Sequence, residues 1–243
     1  MDLIINEDDI SSLYLTGNEG KGLDALRRMG LIPFYISNPH FPDINLITGF
    51  NYFSGSIEPR TFKVSFSCED SVRDILESRL SYFGLKPALT SKHCSYNLIG
   101  EGSKAFGRFL YALGVPAGNK VNQALRLPDY IIDVLDSPDK QELIYLSDFA
   151  SALLSSKLTV SKKHYCCIRF TSVKEEYIKD FSYDIRNLLY LFDIESYEYS
   201  YHQEKSGRNY FIKFINIAKN ESNLLRVKKL LKFSVTKNQK LNK

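Results

Sequence analysis

Two stretches of the chain share one hydrophobic rhythm. TFKVSFSCEDSVRDILESRLSYFGL (residues 61–85) alternates apolar and polar positions, reaches a polar turn and continues at helical period, and YCCIRFTSVKEEYIKDFSYDIRNLLYLFDI (165–194) does the same. Phe66 and Phe170 fall at matching places. Each stretch runs on into extended segments and a further helix. These are SYNLIGEG and SKAFGRFLYALG in the first, then ESYEYSYHQ, a turn at Gly207, NYFIKFINI and ESNLLRVKKLLKF in the second. Apolar helices at 43–57 and 143–160 precede the two strand runs. The pattern predicts an α+β protein in which helix, strands, helix, strands, helix is used twice.

Short oxygen-bearing side chains mark the expected helix starts: Asp70 or Ser71 in the first unit, and Ser103 for the helix after it. Alternation assigns the strand faces. Phe62, Val64 and Phe66 should pack on helices while Lys63, Ser65 and Ser67 look outward; Ile168 and Phe170 should face inward with Cys167, Arg169 and Thr171 outward. Prolines in VPAGNKVNQALRLPDYIIDVLDSPDK place a boundary near 133–139. The expected division is a helical extension over 1–40, a first repeat over 41–133, and a second repeat with a basic tail over 134–243. Within the extension, an "LY" helix, a Gly-bearing turn and DALRRMG loosely resemble part of a helix-turn-helix.

Composition then narrows the function. With 44% hydrophobic residues in 243, the chain can bury real cores. It lacks the ~18–20 consecutive apolar residues of a membrane span, and its start, MDLIINEDD, is acidic where a signal peptide is basic. The expectation is an intracellular, cytoplasmic, nucleoid-associated protein with no membrane partner. Cys68, Cys94, Cys166 and Cys167 show no zinc-like spacing, and the four histidines are scattered, so buried free thiols and no metal site or cofactor are expected. Net charge is only +4, but from Val227 onward the sequence is lysine-rich and free of acid.

Anchored on Gly55, ITGFNYFSG resembles the LAGLIDADG motif: Gly49 stands at the internal glycine, and Gly55-Ser56-Ile57 matches a frequent ending. The stretch 103–131 resembles the segment joining the halves of LAGLIDADG homing endonucleases, including those inside inteins, and 206–233 resembles their last hairpin and helix. The resemblance covers roughly residues 41–240. It implies two pseudo-symmetric αββαββα repeats with saddle-shaped antiparallel sheets lying in a DNA major groove, in a monomer. Gly49, Gly55 and Ala152 would let the two motif helices approach, and each helix tip would offer an acid to a metal ion.

The chemistry departs from that pattern. The two acid positions are Tyr52 and Ser54 in the first motif and, with ASALLSSKL as the second, Ser155 and Lys157. Metal-assisted phosphodiester cleavage needs anionic oxygen ligands. A hydroxyl and an ammonium do not supply them, although Lys157 itself carries a charge that suits phosphate. The expectation is therefore a protein that is not an enzyme and that binds double-stranded DNA in a regulatory or genome-organising role such as transcription regulation. Lys63, Lys120, Lys157, Arg169, Lys213, Lys237 and Lys240 would meet phosphates, while Ser65, Ser67 and Thr171 reach base edges. One alternative is an active endonuclease using Glu19, Glu58 or Asp148; Glu19 would serve if LYLTGNEG were the true first motif. A third reading is an RNA-binding or splicing-assisting module.

Overall fold

The computed structural model describes residues 3–14, 19–90, 94–136, 142–160 and 166–241. The chain divides into two compact units, Met1–Gly118 and Asn119–Lys243. The division falls ahead of the proline-marked stretch at 133–139. The division cuts the joining stretch: its residues up to 118 stay with the first unit, and residues 119–136 go with the second, where helix α6 (Asp129–Asp136) packs on α8 (Glu176–Leu191).

In the first unit, α3 (Phe41–Ser54) runs straight into β3 (Gly55–Ile57), followed by β4 (Val64–Ser67), α4 (Asp70–Ser81), β5 (Lys86–Leu89), β6 (Ser95–Ile99) and α5 (Ser103–Ala112). In the second, α7 (Glu142–Lys157) runs into β7 (Leu158–Val160), then β8 (Cys166–Ser172), α8, β9 (Ser196–Lys205), β10 (Arg208–Ile217) and α9 (Glu221–Leu230). Both units are αββαββα, and their antiparallel sheets have the same strand order, β3-β4-β6-β5 and β7-β8-β10-β9. The repeat in the sequence is thus a repeat in topology.

The cores follow from apolar spacing. Val72, Leu76 and Leu80 line one side of α4; Ile178, Phe181, Ile185 and Leu188 do so on α8, where Phe181 meets Phe170 edge-on at 4.8 Å between ring centroids. α3 is buried almost all round, from Phe41 through Phe53, as befits a helix with no polar stripe. Asp43 in its first turn is held by Arg79 at 2.7 Å.

Several expectations need correction. Phe62 does not belong to β4. It sits in the left-handed region at φ 55°, in a turn closed by Glu58 and Lys63, with the Arg108 guanidinium over its ring. Cys167 alternates outward as expected yet is buried, because it lies between Thr159 and Asn216 in the middle of the sheet and Asn216 is buried too. Neither Asp70 nor Ser71 caps α4: Glu69 is the N-cap, and the Asp70 carboxylate instead accepts from the Tyr96 hydroxyl at 2.7 Å. That bond, more than burial, pushes the Tyr96 pKa up to about 12. Ser103 is the first helical residue of α5, preceded by Gly102 at φ 78°.

The extension consists of β1 (Leu3–Ile5) paired with β2 (Phe34–Tyr35), α1 (Glu7–Ser11) and α2 (Glu19–Arg28). Leu13 and Tyr14 lie beyond α1 rather than in a helix, and the turn over 15–18 lies outside the described residues. α2 packs on α5 with Leu26 buried, while Arg27 pairs with Glu7 and Asp24, and Arg28 with Glu101. Both of its arginines are therefore matched within the unit. No helix among the described residues is long and apolar enough to cross a membrane.

Candidate nucleic-acid interface

Each motif helix ends where a strand begins, so its last side chains are fixed by the strand's start. In the first unit, the half-buried Ser54 hydroxyl donates back to the Phe50 carbonyl at 3.0 Å, a bond that ties it to its own helix. Gly55 is required for a reason internal to this unit. A Cβ there would sit 2.4 Å from Asn51 Nδ2 and 2.6 Å from the Ser65 carbonyl oxygen, the two groups that are themselves hydrogen-bonded at 3.2 Å. Gly49 and Ala152 are buried on their own helices.

The second tip is built by three segments of the second unit. Lys157 closes α7, and the last carbonyls of that helix, Leu154 and Ser155, accept from the Lys237 ammonium of α10 (Val235–Leu241). A cation is favoured there by the helix dipole. Lys237, expected on phosphate, is thus engaged as a helix cap.

Lys120 lies on a 3-10 turn (Lys120–Asn122) that is anchored twice. The Asn119 side chain accepts from Val121 N at 3.1 Å, and the Val121 carbonyl accepts from Ser172 Oγ at 3.1 Å and Val173 N at 3.0 Å. This pins the turn to the end of β8 and brings Lys120 within electrostatic range of Lys157. Burial first, and the Lys157 charge second, hold the Lys120 pKa down at about 7. Burial lowers that of Lys157 as well. Both side chains are half-buried. Two ammonium groups kept close and partly dehydrated repel each other, and a bound anion would relieve both costs.

The sheets present contrasting outer faces. In the first unit, Ser56 and Ser65 are directly paired across β3 and β4 with their hydroxyls 2.8 Å apart, and Ser67 and Asn97 continue the exposed polar surface. Lys63 is exposed just before β4. In the second unit, Arg169 is exposed and Thr171 half-exposed on the outer face, beside a row of aromatic side chains.

Lys213 does not belong to that face. Register places it opposite Phe170, on the side packed against α8, where it is buried and bonded to Glu198 at 2.6 Å. Partial burial alone would raise the Glu198 pKa, but hydrogen bonds from Lys213 and Ser182 outweigh it and bring the carboxyl below its ordinary range. Lys240 is exposed on α10.

The alternative acids have other occupations. Glu58 is exposed and accepts from Thr61 N at 2.5 Å, and its Thr61 hydrogen bonds lower its pKa. Asp148 pairs with Lys232 at 3.2 Å. Glu19 opens α2, and its side chain lies outside the described residues. Among the described residues, no three His, Cys, Asp or Glu side chains are placed to share a metal ion. The cysteines are free. Burial pushes the Cys68 thiol up to about 12 and Cys166 to about 11, which keeps both protonated.

Residue-type reasoning missed the aromatic row of Tyr197, Tyr199, Tyr201 and Phe214. Its signal is in YEYSY, where tyrosine recurs at every second position.

No family model matches the chain. Two curated proteins named "tRNA-splicing ligase RtcB" are similar to it. The one from Methanocaldococcus jannaschii is 25% identical over 82% of this chain and 22% of its own length, and the one from Pyrococcus furiosus is 23% identical over 78% and 21%. The chain spans about a fifth of the length of these curated relatives. Among solved structures, the N-terminal LAGLIDADG domain of DUF199/WhiA is similar at a TM-score of 0.43 and 12% identity, covering 88% of this chain and 94% of that one.

Proposed function

We propose that this protein holds nucleic acid by its phosphate backbone and does not cut it. The observation that carries this reading is the Lys120–Lys157 pair, two partly dehydrated ammonium groups brought together at the end of α7, where the motif resemblance implies a catalytic acid. Backbone contacts of this kind fix position, and sequence is read elsewhere. The outward Ser65, Ser67 and Asn97 of the first unit are small donors and acceptors suited to base edges in a duplex groove. Lys63, Arg169 and Lys240 add exposed positive charge. Double-stranded DNA is the ligand this arrangement suits, in a regulatory or organising role.

A second reading, RNA in place of duplex DNA, is favoured by one observation: both curated relatives are named as tRNA-splicing ligases. Only about a fifth of their length is matched, so ligation itself is not carried over.

The test is fluorescence anisotropy of a labelled DNA duplex across a salt series, with structured RNA as competitor, and a supercoiled plasmid incubated alongside with Mg²⁺ or Mn²⁺. Holding without cutting predicts affinity that falls steeply with salt, through counterion release, and intact plasmid. Nicking abolished by Glu58→Gln or Asp148→Asn would instead make the protein an endonuclease. Stronger competition by RNA than by the duplex would select the second reading.

A further inference from the structure

β9 and β10 are each ten residues long and joined by the Ser206-Gly207 turn, with both turn residues at positive φ, as a type I′ hairpin turn requires. Directly paired residues share a face, so register sorts this hairpin by chemistry. One face of β9 carries Glu198, Ser200, His202 and Glu204; the other carries Tyr197, Tyr199, Tyr201, Gln203 and Lys205. On that second face β10 adds Arg208, Tyr210, Ile212, Phe214 and Asn216, and β8 adds Arg169. The hairpin's acids are all on one face, together with His202, Phe211 and Lys213, and the other face carries the remaining aromatics and cations and no carboxylate.

The rings form a connected surface. Tyr201 stacks on Phe214 with centroids 5.8 Å apart and planes 17° apart, Tyr199 lies 6.3 Å from Tyr201, and the Arg169 guanidinium is 5.9 Å from the Phe214 centroid. The Tyr201–Phe214 pair contributes to sheet stability, as cross-strand aromatic pairs do. Tyr197 and Tyr199 are 53% and 58% exposed, so packing within the sheet does not account for them.

We propose that this face binds a single-stranded nucleic-acid segment, with unpaired bases stacking on the tyrosines and phosphates meeting Arg169, Lys205 and Arg208. Exposed π-surfaces interleaved with cations and free of carboxylates match a polyanion that carries flat bases. Tyrosines two residues apart along a strand stand about 7 Å apart, roughly twice the ~3.4 Å rise of a duplex strand. Bases seated on successive rings must therefore be splayed, which a paired helix does not permit. This inference extends the nucleic-acid reading to a second surface, which shares Arg169 with the first, and to a different ligand geometry.

The test is anisotropy titration of labelled twelve-nucleotide oligouridine, oligothymidine and an abasic strand of equal length, with a duplex as a fourth ligand, against the full chain and its Tyr199→Ala and Tyr199→Phe variants. The proposal predicts that the abasic strand binds at least tenfold more weakly than either base-bearing strand. It also predicts that Tyr199→Ala loses about tenfold for those strands, equivalent to ~1.4 kcal/mol, while Tyr199→Phe retains affinity and duplex binding does not change. The two base-bearing strands report whether RNA or DNA is preferred. Equal affinity for abasic and base-bearing strands, or an unaffected Tyr199→Ala, overturns the proposal while leaving duplex holding intact. Loss of both duplex and single-strand binding in the parent protein overturns both readings. Sedimentation of parent and Tyr199→Ala adds one further contrary result: a dimer dissolved by the substitution, with no change in oligonucleotide affinity, assigns the face to a second copy.

Discussion

The two sheets share strand order and element order but present different chemistry on their outer faces. The first offers paired serines, an asparagine and a lysine; the second offers tyrosines, a phenylalanine and arginines. Their inner faces are alike: Val64 and Phe66 of the first unit stand at the register positions of Cys166 and Ile168 in the second, and all four are buried. Packing constrains the inner face of a sheet, whereas the outer face is open to whatever it meets. Two copies of one topology can therefore keep a common core and still diverge in what they bind.

The comparison breaks most completely at the first unit's strand entry. Gly55→Ala forces a methyl against Asn51 and the Ser65 carbonyl, neither of which can yield without loosening β3 from β4. A loss of about 3 kcal/mol is expected, read by thermal or denaturant unfolding. Gly107→Ala provides a parallel case, since its Cβ would lie 1.9 Å from the Phe62 carbonyl oxygen.

The second unit breaks next at Lys213. Lys213→Ala strands Glu198 and should cost about 3 kcal/mol, whereas Lys213→Met with Glu198→Gln should recover much of that loss. The pH dependence has a definite sign. The folded Glu198 pKa lies below its unfolded value, so its stabilisation is present above the ordinary glutamate pKa of ~4.3 and is lost as pH falls through the lower folded value. The double variant should therefore lose less stability on acidification than the parent.

Lys120 behaves in the opposite way. Its folded pKa of about 7 lies below the unfolded value, so the penalty for burying its charge is complete below pH 7 and is relieved as pH rises towards the unfolded pKa. Lys120→Met should raise the melting temperature at pH 6, by an amount corresponding to about 1 kcal/mol after solvent screening, and the gain should fade by pH 10. The smallest effect is expected at Tyr96: Tyr96→Phe removes its bond to Asp70, at a cost of about 1 kcal/mol. The parent's ultraviolet titration should lose one tyrosine step near pH 12 in that variant.

Most of the topology was legible from sequence, because period-two and period-3.6 patterns report burial, and burial follows the fold. The hairpin turn at Gly207 and the motif helices came through that signal, whereas register matches Phe66 with Ile168 and not with Phe170. The helix starts were less legible. Asp70 has the composition of a cap, but its carboxylate is taken by Tyr96, a partner 26 residues away that local pattern cannot reveal. The same limit explains Lys213, which counts as a basic residue in sequence but becomes an internal ion pair once register sets its face. Lys120 and Lys157 were each legible, but their proximity depends on the Ser172 and Val173 bonds that pin the turn to β8.

The central claim, that the Lys120–Lys157 pair receives phosphate, is tested most directly by duplex affinity measured from pH 6 to 9 at constant salt. An anion arriving beside Lys120 raises its pKa, so binding takes up a proton. Affinity in the parent should then fall as pH rises beyond about 7, while Lys120→Arg, charged throughout, should show no such fall. A parent protein whose duplex affinity is constant across that range would contradict the account.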